Sequence, residues 1–471
     1  AFPTHLLLEC LDCLLPYITS VINDSLTSGI FPSSFKTALV KLLLRKPSLD
    51  PNDLKNYRPV SNLPFLSKIT ERIVLSQLND HLISNKLFSP LQSANKLHHS
   101  TETALLKIVN DLLTALDNGK ICFLTLLDLS AAFDTIDHNI LLHRLEHTFG
   151  ISDSALSWFR SYLSDRTQIV TVNGLRSDEA PLSLGVPQGS VLGPVLFVLY
   201  TQPLFELIKK HSIQHHAFAD DNQLYKETVP DQIQTTIEIM QNCITDVKLW
   251  MTHNKLQLND SKTESMLVKS HRLSVNFPLP SSMRIGNSEV LFVSSVKNLG
   301  VTLDCNLNMT QHVLNICRSA YIELRQIGSI RHLLTAQATQ TLVCAFILSR
   351  LDYCNCLLAG CPQFLIDRLQ KVQNAAARLI CRAKKLDHVQ PILQSLHWLP
   401  IRARIQYKIS TLCFNVITGT GPQYLSELLH LYTPSRDLRS SADTRILKIP
   451  RSNSKAFGQR SFSHVGPSTW N

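Results

Sequence analysis

The sequence predicts an α+β fold in which an antiparallel sheet is followed by a mostly helical final third. Residues 121–127 (ICFLTLL) form an apolar run of strand length, which is typical of a central strand buried on both faces. Residues 215–225 (HHAFADDNQLY) are too short and too mixed for an amphipathic helix, and they predict a hairpin with Asp220 and Asp221 at its tip. Beyond residue 305, apolar residues recur mostly at helical spacing.

The length and composition indicate a globular protein with several domains. The chain has 471 residues, of which 44% are hydrophobic and 17% charged. These values allow about three domains and exclude a disordered chain. No apolar run approaches the roughly 20 residues that a membrane span needs, and no signal peptide is evident. We therefore expect an intracellular protein without a membrane partner and, because the sequence lacks an initiator Met, a fragment of a longer reading frame.

The excess positive charge of the chain, a formal net charge of +10, is confined to its last third. Residues 1–304 carry 26 Lys and Arg against 29 Asp and Glu, whereas residues 305–471 carry 20 against 7. This asymmetry is typical of a nucleic-acid-binding surface, and a merely soluble basic surface is the alternative. Residues 365–382 predict a helix with an apolar face and a separate cationic face, formed by Arg368, Lys371, Arg378 and Arg382.

The twelve cysteines predict neither a metal site nor a disulfide partner. Cys10 and Cys13 form a lone C-x-x-C, and Cys354, Cys356 and Cys361 have no nearby His at ligand spacing. A structural zinc site needs a second ligand pair at a defined distance. We expect free thiols in a reducing compartment.

The first hundred residues combine helices with a cationic extended segment. The predicted elements are one or two helices within residues 1–35, a strand at 37–44, a helix at 64–83 and a helix that begins near Thr101 with Ser100 as its N-cap. Arg58 lies in the extended segment 56–61, which contains a proline. This segment predicts a tip whose cations reach a triphosphate, and an ordinary surface loop is the alternative.

Residues 138–304 predict further helices and strands around a glycine-rich turn. The predicted elements are helices at 140–149, 155–163, 193–207 and 231–255, a hairpin at Asn173-Gly174, and two or three strands between 265 and 303. In residues 185–194 (GVPQGSVLGP), the glycines allow close backbone approach to a ligand and Gln188 offers an amide. A Gly-Pro-rich helix entry without a ligand is the alternative. The basic, Ser-rich tail from Tyr432 is expected to be irregular.

Three carboxylates are the candidate metal ligands. Asp128 follows the buried strand directly, where a solvated charge is unfavourable and a metal ligand is favoured. Asp220 and Asp221 repel each other unless a divalent cation is bound between them. An exposed polar turn is the alternative for this pair taken alone. Asp134 and Asp137 are assigned to helix-start capping and local pairing.

Taken in order, these residues are typical of a palm-domain polymerase. Two divalent ions held by aspartates from neighbouring strands would activate a primer hydroxyl and stabilise the leaving pyrophosphate.

The chain resembles the reverse transcriptase of non-LTR (LINE-type) retrotransposons, most closely the chicken-repeat-like subgroup. The matching stretches are residues 56–63 (NYRPVSNL), 92–104 around HSTETA, 128–138 (DLSAAFDTIDH), 185–194 (GVPQGSVLGP), 218–221 (FADD), 349–354 (SRLDYC), 369–379 (LQKVQNAAARL) and 396–400 (LHWLP). The ordered set is specific and covers essentially the whole chain.

The resemblance implies a right-hand polymerase fold, fingers and palm with an antiparallel palm sheet, followed by a helical thumb and a C-terminal region. The implied domains are an N-terminal helical extension at 1–35, fingers and palm at 36–304, a basic thumb-like region at 305–385 and a basic, partly irregular region at 386–471. The implied partners are an RNA template, a DNA primer or target, and dNTPs, in a ribonucleoprotein of nucleus and cytoplasm. The implied cofactor is a pair of Mg²⁺ or Mn²⁺ ions.

The resemblance also implies residue roles. Asp128, Asp220 and Asp221 would be the catalytic metal ligands, with Lys262 as proton donor to pyrophosphate. The nucleotide-binding residues would be Arg58 and Lys96 near the triphosphate, Phe133 under the sugar, and Gln188 with Gly189 against nucleotide and template. The family usually has an aromatic residue and an arginine where this chain has Asn95 and Lys96, and Lys keeps the charge without bidentate geometry. The N-terminal endonuclease of such elements is absent from this sequence.

Two rival hypotheses remain beside an RNA-directed DNA polymerase. An RNA-directed RNA polymerase would share the fold, and Phe133 argues against it if this residue excludes ribonucleotides. A catalytically decayed copy, or a host-retained protein that binds nucleic acid through its basic last third, belongs to a different class. The intact set of three aspartates favours the enzyme.

Overall fold

The computed structural model describes residues 4–130, 133–271, 273, 279–286, 288–433 and 445–471. Its α-helices are α1 Thr4–Glu9, α2 Leu11–Ser28, α3 Phe65–Ser84, α4 Thr101–Asp117, α5 His138–His147, α6 Asp153–Leu163, α7 Gly193–Thr201, α8 Pro203–Lys210, α9 Ile233–His253, α10 Thr310–Ile330, α11 Ala336–Val343, α12 Ser349–Asp352, α13 Gln363–Cys381, α14 Val389–Ser395, α15 Ile401–Ile417, α16 Gln423–Ser426 and α17 Phe462–Trp470. Its strands are β1 Thr37–Leu44, β2 Tyr57–Asn62, β3 Ile121–Leu127, β4 Leu129–Ser130, β5 Arg166–Val172, β6 Leu175–Arg176, β7 Ala180–Leu182, β8 Gln214–Phe218, β9 Asp221–Thr228, β10 Gln257–Leu258, β11 Glu264–Val268, β12 Ser282–Ile285, β13 Ser288–Leu291, β14 Ser295–Asn298 and β15 Val301–Asp304.

Most elements agree with the sequence-based predictions, and three differ. The apolar helix predicted at 193–207 is two helices, because Pro203 cannot continue the first and instead begins the second. The region between 265 and 303 holds β11 to β14 and the start of β15, more strands than expected. The predicted irregular tail contains α17, whose Phe462 is buried in the core. Among the described residues, no helix has both the length and the hydropathy to cross a bilayer.

The chain forms two compact units, and the first comprises residues 1–89, 129–208 and 246–259. Its main sheet has the order β2-β1-β5-β6, with β7 also paired to β5. β1 runs antiparallel to β2 and parallel to β5. The apolar side chains Phe31, Trp158 and Tyr162 pack together, and the Trp158 and Tyr162 rings stack at 5.4 Å.

The second unit comprises residues 90–128, 209–245 and 260–471. Its four-stranded sheet has the order β11-β3-β9-β8, and every neighbouring pair is antiparallel. One continuous core joins this sheet to the helices of the unit, and it includes Leu112, Leu124, Val313, Leu369 and Ile409. The sheet that was predicted from residues 121–127 and 215–225 is therefore a wall of this core.

The C-terminal residues belong to the second unit through hydrogen bonds to the end of α4. The Asp117 carboxylate accepts from the backbone N–H of Asn453 at 2.7 Å and of Gly458 at 3.2 Å. The Asn110 side chain accepts from the Ser463 N–H at 3.0 Å. Within the basic region at 386–471, the described residues 445–471 therefore pack against the second unit rather than forming a separate tail.

A buried carboxylate, Glu71 on α3, organises the centre of the first unit. Its Oε2 accepts hydrogen bonds from the backbone N–H groups of Val191 and Leu192 at 2.7 and 3.1 Å. Its Oε1 accepts from the Ser67 hydroxyl at 3.0 Å, and the Tyr162 hydroxyl donates to Oε2 at 3.3 Å. A buried charge is tolerated when its lone pairs are satisfied in this way. Glu71 therefore fixes the loop that enters α7.

We expect Glu71→Ala to lower the free energy of unfolding by about 3 kcal/mol, because two buried backbone donors and the Tyr162 hydroxyl lose a charged acceptor. Urea and thermal unfolding of the full chain measure this change. Glu146→Ala, at an exposed position on α5, is the matched control and should change stability by less than about 0.5 kcal/mol. Equal stabilities of the two variants would contradict the role assigned to Glu71.

Candidate active site

The register of the four-stranded sheet brings Asp128 next to Asp221. β3 and β9 pair residue by residue up to Leu127 and Asn222. Asp128 follows Leu127 directly, and Asp221 precedes Asn222 directly, so the two aspartates occupy the next position on adjacent antiparallel strands. Residues directly opposite each other on antiparallel strands have Cβ atoms about 5 Å apart. The pairing of β3 with β9 therefore places two carboxylates side by side at one end of these strands.

Asp220 joins this pair from the turn between β8 and β9. The register pairs Phe218 with Asp221, so Ala219 and Asp220 form a two-residue turn. Ala219 has a φ of +56°, in the left-handed region that tight hairpin turns require. The predicted hairpin with both aspartates at its tip is confirmed.

The negative charges of Asp220 and Asp128 act on the carboxyl group of Asp221. The pKa of Asp221 is raised to about 6, first by burial of its carboxyl group, then by the negative charges of Asp220 and Asp128. Asp221 as a residue is exposed, so water screens part of this repulsion. The shift therefore reflects both partial burial and the closeness of the other two carboxylates.

Lys262 lies beside the first of these aspartates. It belongs to the short helical turn Asp260–Lys262, and its Nζ is 3.2 Å from Asp128 Oδ2. The lysine side chain is 56% exposed and that of Asp128 34% exposed, so the ion pair is open to solvent and contributes little to stability. The structure therefore places all four predicted catalytic residues in one region of the second unit.

The donor set fits a hard divalent cation. Within the described residues, no group of three or more His, Cys, Asp or Glu side chains is arranged so that it could hold a metal ion by itself. Mg²⁺ is usually held by one or two carboxylates together with water and substrate phosphates rather than by a complete protein cage. Asp128, Asp220 and Asp221 supply such carboxylates, and a cation among them would relieve the repulsion that raises the pKa of Asp221. These are the residues that could hold such a cation.

In the first unit, the Pro-Gln-Gly turn packs against β2. The Ser61 N–H donates to the Gln188 carbonyl at 2.7 Å. Gly189 has a φ of +124°, and a Cβ at this position would clash with the Ser61 carbonyl oxygen. A glycine is therefore required here for conformation and for space. The close backbone approach of Gly189 in the structure is to β2, the strand that carries Arg58, and the predicted approach of this turn to a ligand stays a prediction.

The side chains of Gln188 and Phe133 both contact residues that are distant from them in sequence. The Gln188 amide donates to both Asp134 carboxylate oxygens, at 2.9 and 3.1 Å. Asp137 caps α5 as predicted, whereas the capping role predicted for Asp134 is wrong, because its partner lies 54 residues along the chain. The Phe133 ring packs on Phe197 at 5.1 Å.

The remaining candidate cations differ in their surroundings. Arg58 is exposed on β2. Lys96, in the second unit, is half-buried, and burial lowers the pKa of its ammonium group. On α13, Arg368 and Lys371 are exposed, as the predicted cationic face requires. Two further members of this face use part of their donors within the protein: Arg378 and Arg382 donate to the carbonyls of Asp387 and Arg331.

Two supporting residues were not recognised from the sequence. Glu71 lies on the buried stripe of α3 that also contains Ser67, Val74 and Leu78. Its helical spacing from these residues is a signal that could have identified it. Tyr424, far along the chain, contacts Ser93 and carried no comparable signal.

Comparison with known proteins agrees with this geometry. Residues 44–303 match the family model described as reverse transcriptase (RNA-dependent DNA polymerase). The RNA-directed DNA polymerase from mobile element jockey of Drosophila melanogaster is 28% identical over 311 residues, which cover 65% of this chain and 33% of that protein. The probable RNA-directed DNA polymerase from transposon BS of the same organism is 27% identical over 379 residues, covering 77% of this chain and 40% of that protein.

More remote similarities extend further along the chain. The Pol polyprotein from type-1 retrotransposable element R1 of Bradysia coprophila is 24% identical over 398 residues, covering 81% of this chain and 38% of that protein. A telomerase structure from Candida albicans aligns at 10% identity with a TM-score of 0.40, covering 79% of this chain and 66% of that one. The chain spans about a third to two fifths of the length of these curated relatives. Because the family model covers more than half of it, the chain belongs to the reverse transcriptase family.

Proposed function

We propose that this protein is the RNA-directed DNA polymerase of a non-LTR retrotransposon, which extends a DNA primer on an RNA template. The observation that carries the proposal is one end of the four-stranded sheet, where Asp128 and Asp221 lie side by side at the ends of β3 and β9, and Asp220 lies in the turn between β8 and β9. In a member of the reverse transcriptase family, this arrangement is suited to two-metal nucleotidyl transfer.

In this proposal the four-stranded sheet is the palm, and the domains keep the order expected from the sequence. Fingers and palm occupy residues 36–304, the thumb 305–385, and the flanking regions 1–35 and 386–471.

Each catalytic residue has a stated task. Asp128, Asp220 and Asp221 hold two divalent ions, Mg²⁺ or Mn²⁺, which when bound supply the positive charge that activates the primer 3′-hydroxyl and stabilises the leaving pyrophosphate. Lys262, which stands beside Asp128, is the proton donor to that pyrophosphate.

The nucleotide and the nucleic acid are bound by cations and by shape. Arg58 and Lys96 bind the triphosphate of the incoming dNTP, and Gln188 with Gly189 contact the nucleotide and the template. Phe133, held against Phe197, excludes the ribose 2′-hydroxyl and so selects dNTPs over ribonucleotides. The cationic face of α13 contacts phosphates of the RNA–DNA duplex through Arg368, Lys371, Arg378 and Arg382.

We expect the protein to extend a DNA primer annealed to RNA in the presence of Mg²⁺ and dNTPs, and Asp220→Ala to reduce the rate by more than about a hundredfold. Primer extension resolved on a denaturing gel measures this. Asp231→Ala, which removes an exposed aspartate from the turn before α9, is the matched control and should extend normally.

A well-folded, unmutated protein that binds RNA in a salt-sensitive way but extends no primer would overturn the proposal. That outcome would support the rival hypothesis of a nucleic-acid-binding protein without chemistry.

We expect Asp221→Asn to stabilise the protein at pH 7.5 without divalent ions, by up to about 1 kcal/mol after solvent screening. The raised pKa means that the folded state keeps a proton that the unfolded state releases between about pH 4 and 6, so stability falls as pH rises through this window. The amide removes the repelled charge. Mg²⁺ should stabilise the unmutated protein by binding its folded state, and the variant less.

Thermal unfolding with and without MgCl₂ tests this prediction, with Asp231→Asn as the control. If Mg²⁺ stabilised both variants and the unmutated protein equally, the assignment of Asp221 as a metal ligand would be wrong.

A further inference from the structure

A chain of hydroxyl groups is buried around Tyr424 in the second unit. Tyr424 lies on α16, well beyond residue 303, where the family match ends. Its side chain is 1% exposed. Its hydroxyl donates to Thr103 Oγ1 at 2.8 Å and is 2.9 Å from Ser93 Oγ.

This row of hydrogen-bonded side chains continues into the β8–β9 hairpin, which carries Asp220 and Asp221. Ser93 Oγ is 2.8 Å from Nε2 of His216, which lies on β8. The His216 and Tyr424 rings also meet edge to face at 4.9 Å. Tyr424 is therefore in direct contact with a residue four positions before Asp220.

A single direction of donation accounts for every hydrogen bond between these side chains, and only the buried Nδ1 of His216 is left without a hydrogen-bond partner. With its proton on Nε2, His216 donates to Ser93, Ser93 donates to Tyr424, and Tyr424 donates to Thr103. Thr103 in turn donates to the Ser100 carbonyl at 3.0 Å. Burial lowers the pKa of His216 to about 3, so the neutral ring that this direction requires is the stable form. Removing the central hydroxyl would leave Ser93 without an acceptor and would take one of two donors from Thr103, which also accepts from the Ser100 N–H at 2.9 Å.

Ser93 belongs to a segment that covers the outer edge of β8. The Ala217 N–H donates to the Leu91 carbonyl at 2.9 Å, and the Ser93 N–H donates to the Ala217 carbonyl at 3.0 Å. β8 is the last strand in the order β11-β3-β9-β8, so residues 91–93 satisfy an edge that would otherwise be open. Tyr424 holds this segment through Ser93.

We propose that Tyr424 is a positioning residue for nucleotide addition, which fixes residues 91–93 against β8 and thereby fixes the turn that carries Asp220. β8 pairs with β9 up to Phe218 and Asp221, so a shift of β8 moves the turn and misplaces the carboxylates. This inference rests on the proposed function for its kinetic consequence, but not for its structural one. The inference means that a residue beyond the family match, Tyr424, helps to position the active-site aspartates.

The test is Tyr424→Phe in the full chain, which removes the hydroxyl and keeps the ring. We expect the rate of amide hydrogen exchange in residues 214–226 to rise about tenfold, because the loss of one buried hydrogen bond makes local opening of the hairpin easier by about that factor. We expect kcat for primer extension to fall about tenfold, because misplaced catalytic groups slow the chemical step. The KM for dNTP and the Kd for the annealed primer–template should change less than about twofold.

Two controls separate positioning from general stability. Tyr407→Phe makes the same chemical change at an exposed position on α15 and should alter neither exchange nor kcat. Leu425→Ala removes a fully buried neighbour on α16 and should lower the Tm at least as much as Tyr424→Phe, while leaving kcat in place. Ser93→Ala breaks the same hydroxyl chain, and combining it with Tyr424→Phe should add little to either single change.

Unchanged exchange in residues 214–226 of Tyr424→Phe would overturn the inference. The inference would also be overturned if kcat fell in proportion to the loss of Tm in both Tyr424→Phe and Leu425→Ala. If the unmutated protein extends no primer, the proposed function fails. The exchange measurement then still decides whether Tyr424 holds the hairpin.

Discussion

Carboxylates repel one another, and the pairing of β3 with β9 holds Asp128 and Asp221 side by side in spite of that repulsion. The strands themselves offset the free energy of this repulsion. β3 lies between β11 and β9, and its side chains are buried on both faces, so backbone hydrogen bonds and core packing fix a register that the aspartates alone would not choose. A one-residue slip would turn every side chain of the strand to the opposite face. The register of β3 and β9 therefore fixes the relative positions of Asp128 and Asp221.

The supports around the candidate site include buried polar groups that hydrogen-bond to several partners each. Glu71 satisfies two backbone N–H groups at the entry to α7, and Gly189 allows the preceding turn to lie against Ser61. The hydroxyl of Tyr424 links Ser93 to Thr103 in the second unit. Such networks specify one arrangement because a half-satisfied alternative is costly. Each unit thus contains a buried polar residue, Glu71 in the first and Tyr424 in the second, whose hydrogen bonds fix segments next to the residues that are proposed to act on substrate.

The parts of the fold that local sequence dictates were predictable. Strand β3, the hairpin of Asp220 and helix α13 each carry their signal in adjacent residues. The role of Asp134 was mispredicted because its partner, Gln188, is distant in sequence and nothing local marks the pair. The helix α17 was missed because its Ser, Gly and Pro residues have low helix propensity, and burial of Phe462 overrides that preference. Glu71 was visible as an acid on a buried stripe, whereas the pairing of Tyr424 with Ser93 follows from tertiary structure alone.

The interleaving of the two units has a consequence for the order of events during synthesis. Each unit draws on three separate stretches of chain, and the first has all its residues once residue 259 has been made. In the second unit, Ser93 and Tyr424 are 331 residues apart. The ribosome must therefore complete most of the chain before the edge of β8 receives its final support. At about 5–20 residues per second, the interval between completion of β8 and synthesis of Tyr424 lasts about 10–40 s. Throughout it the nascent strand edge is a target for chaperones and for misassembly with other chains.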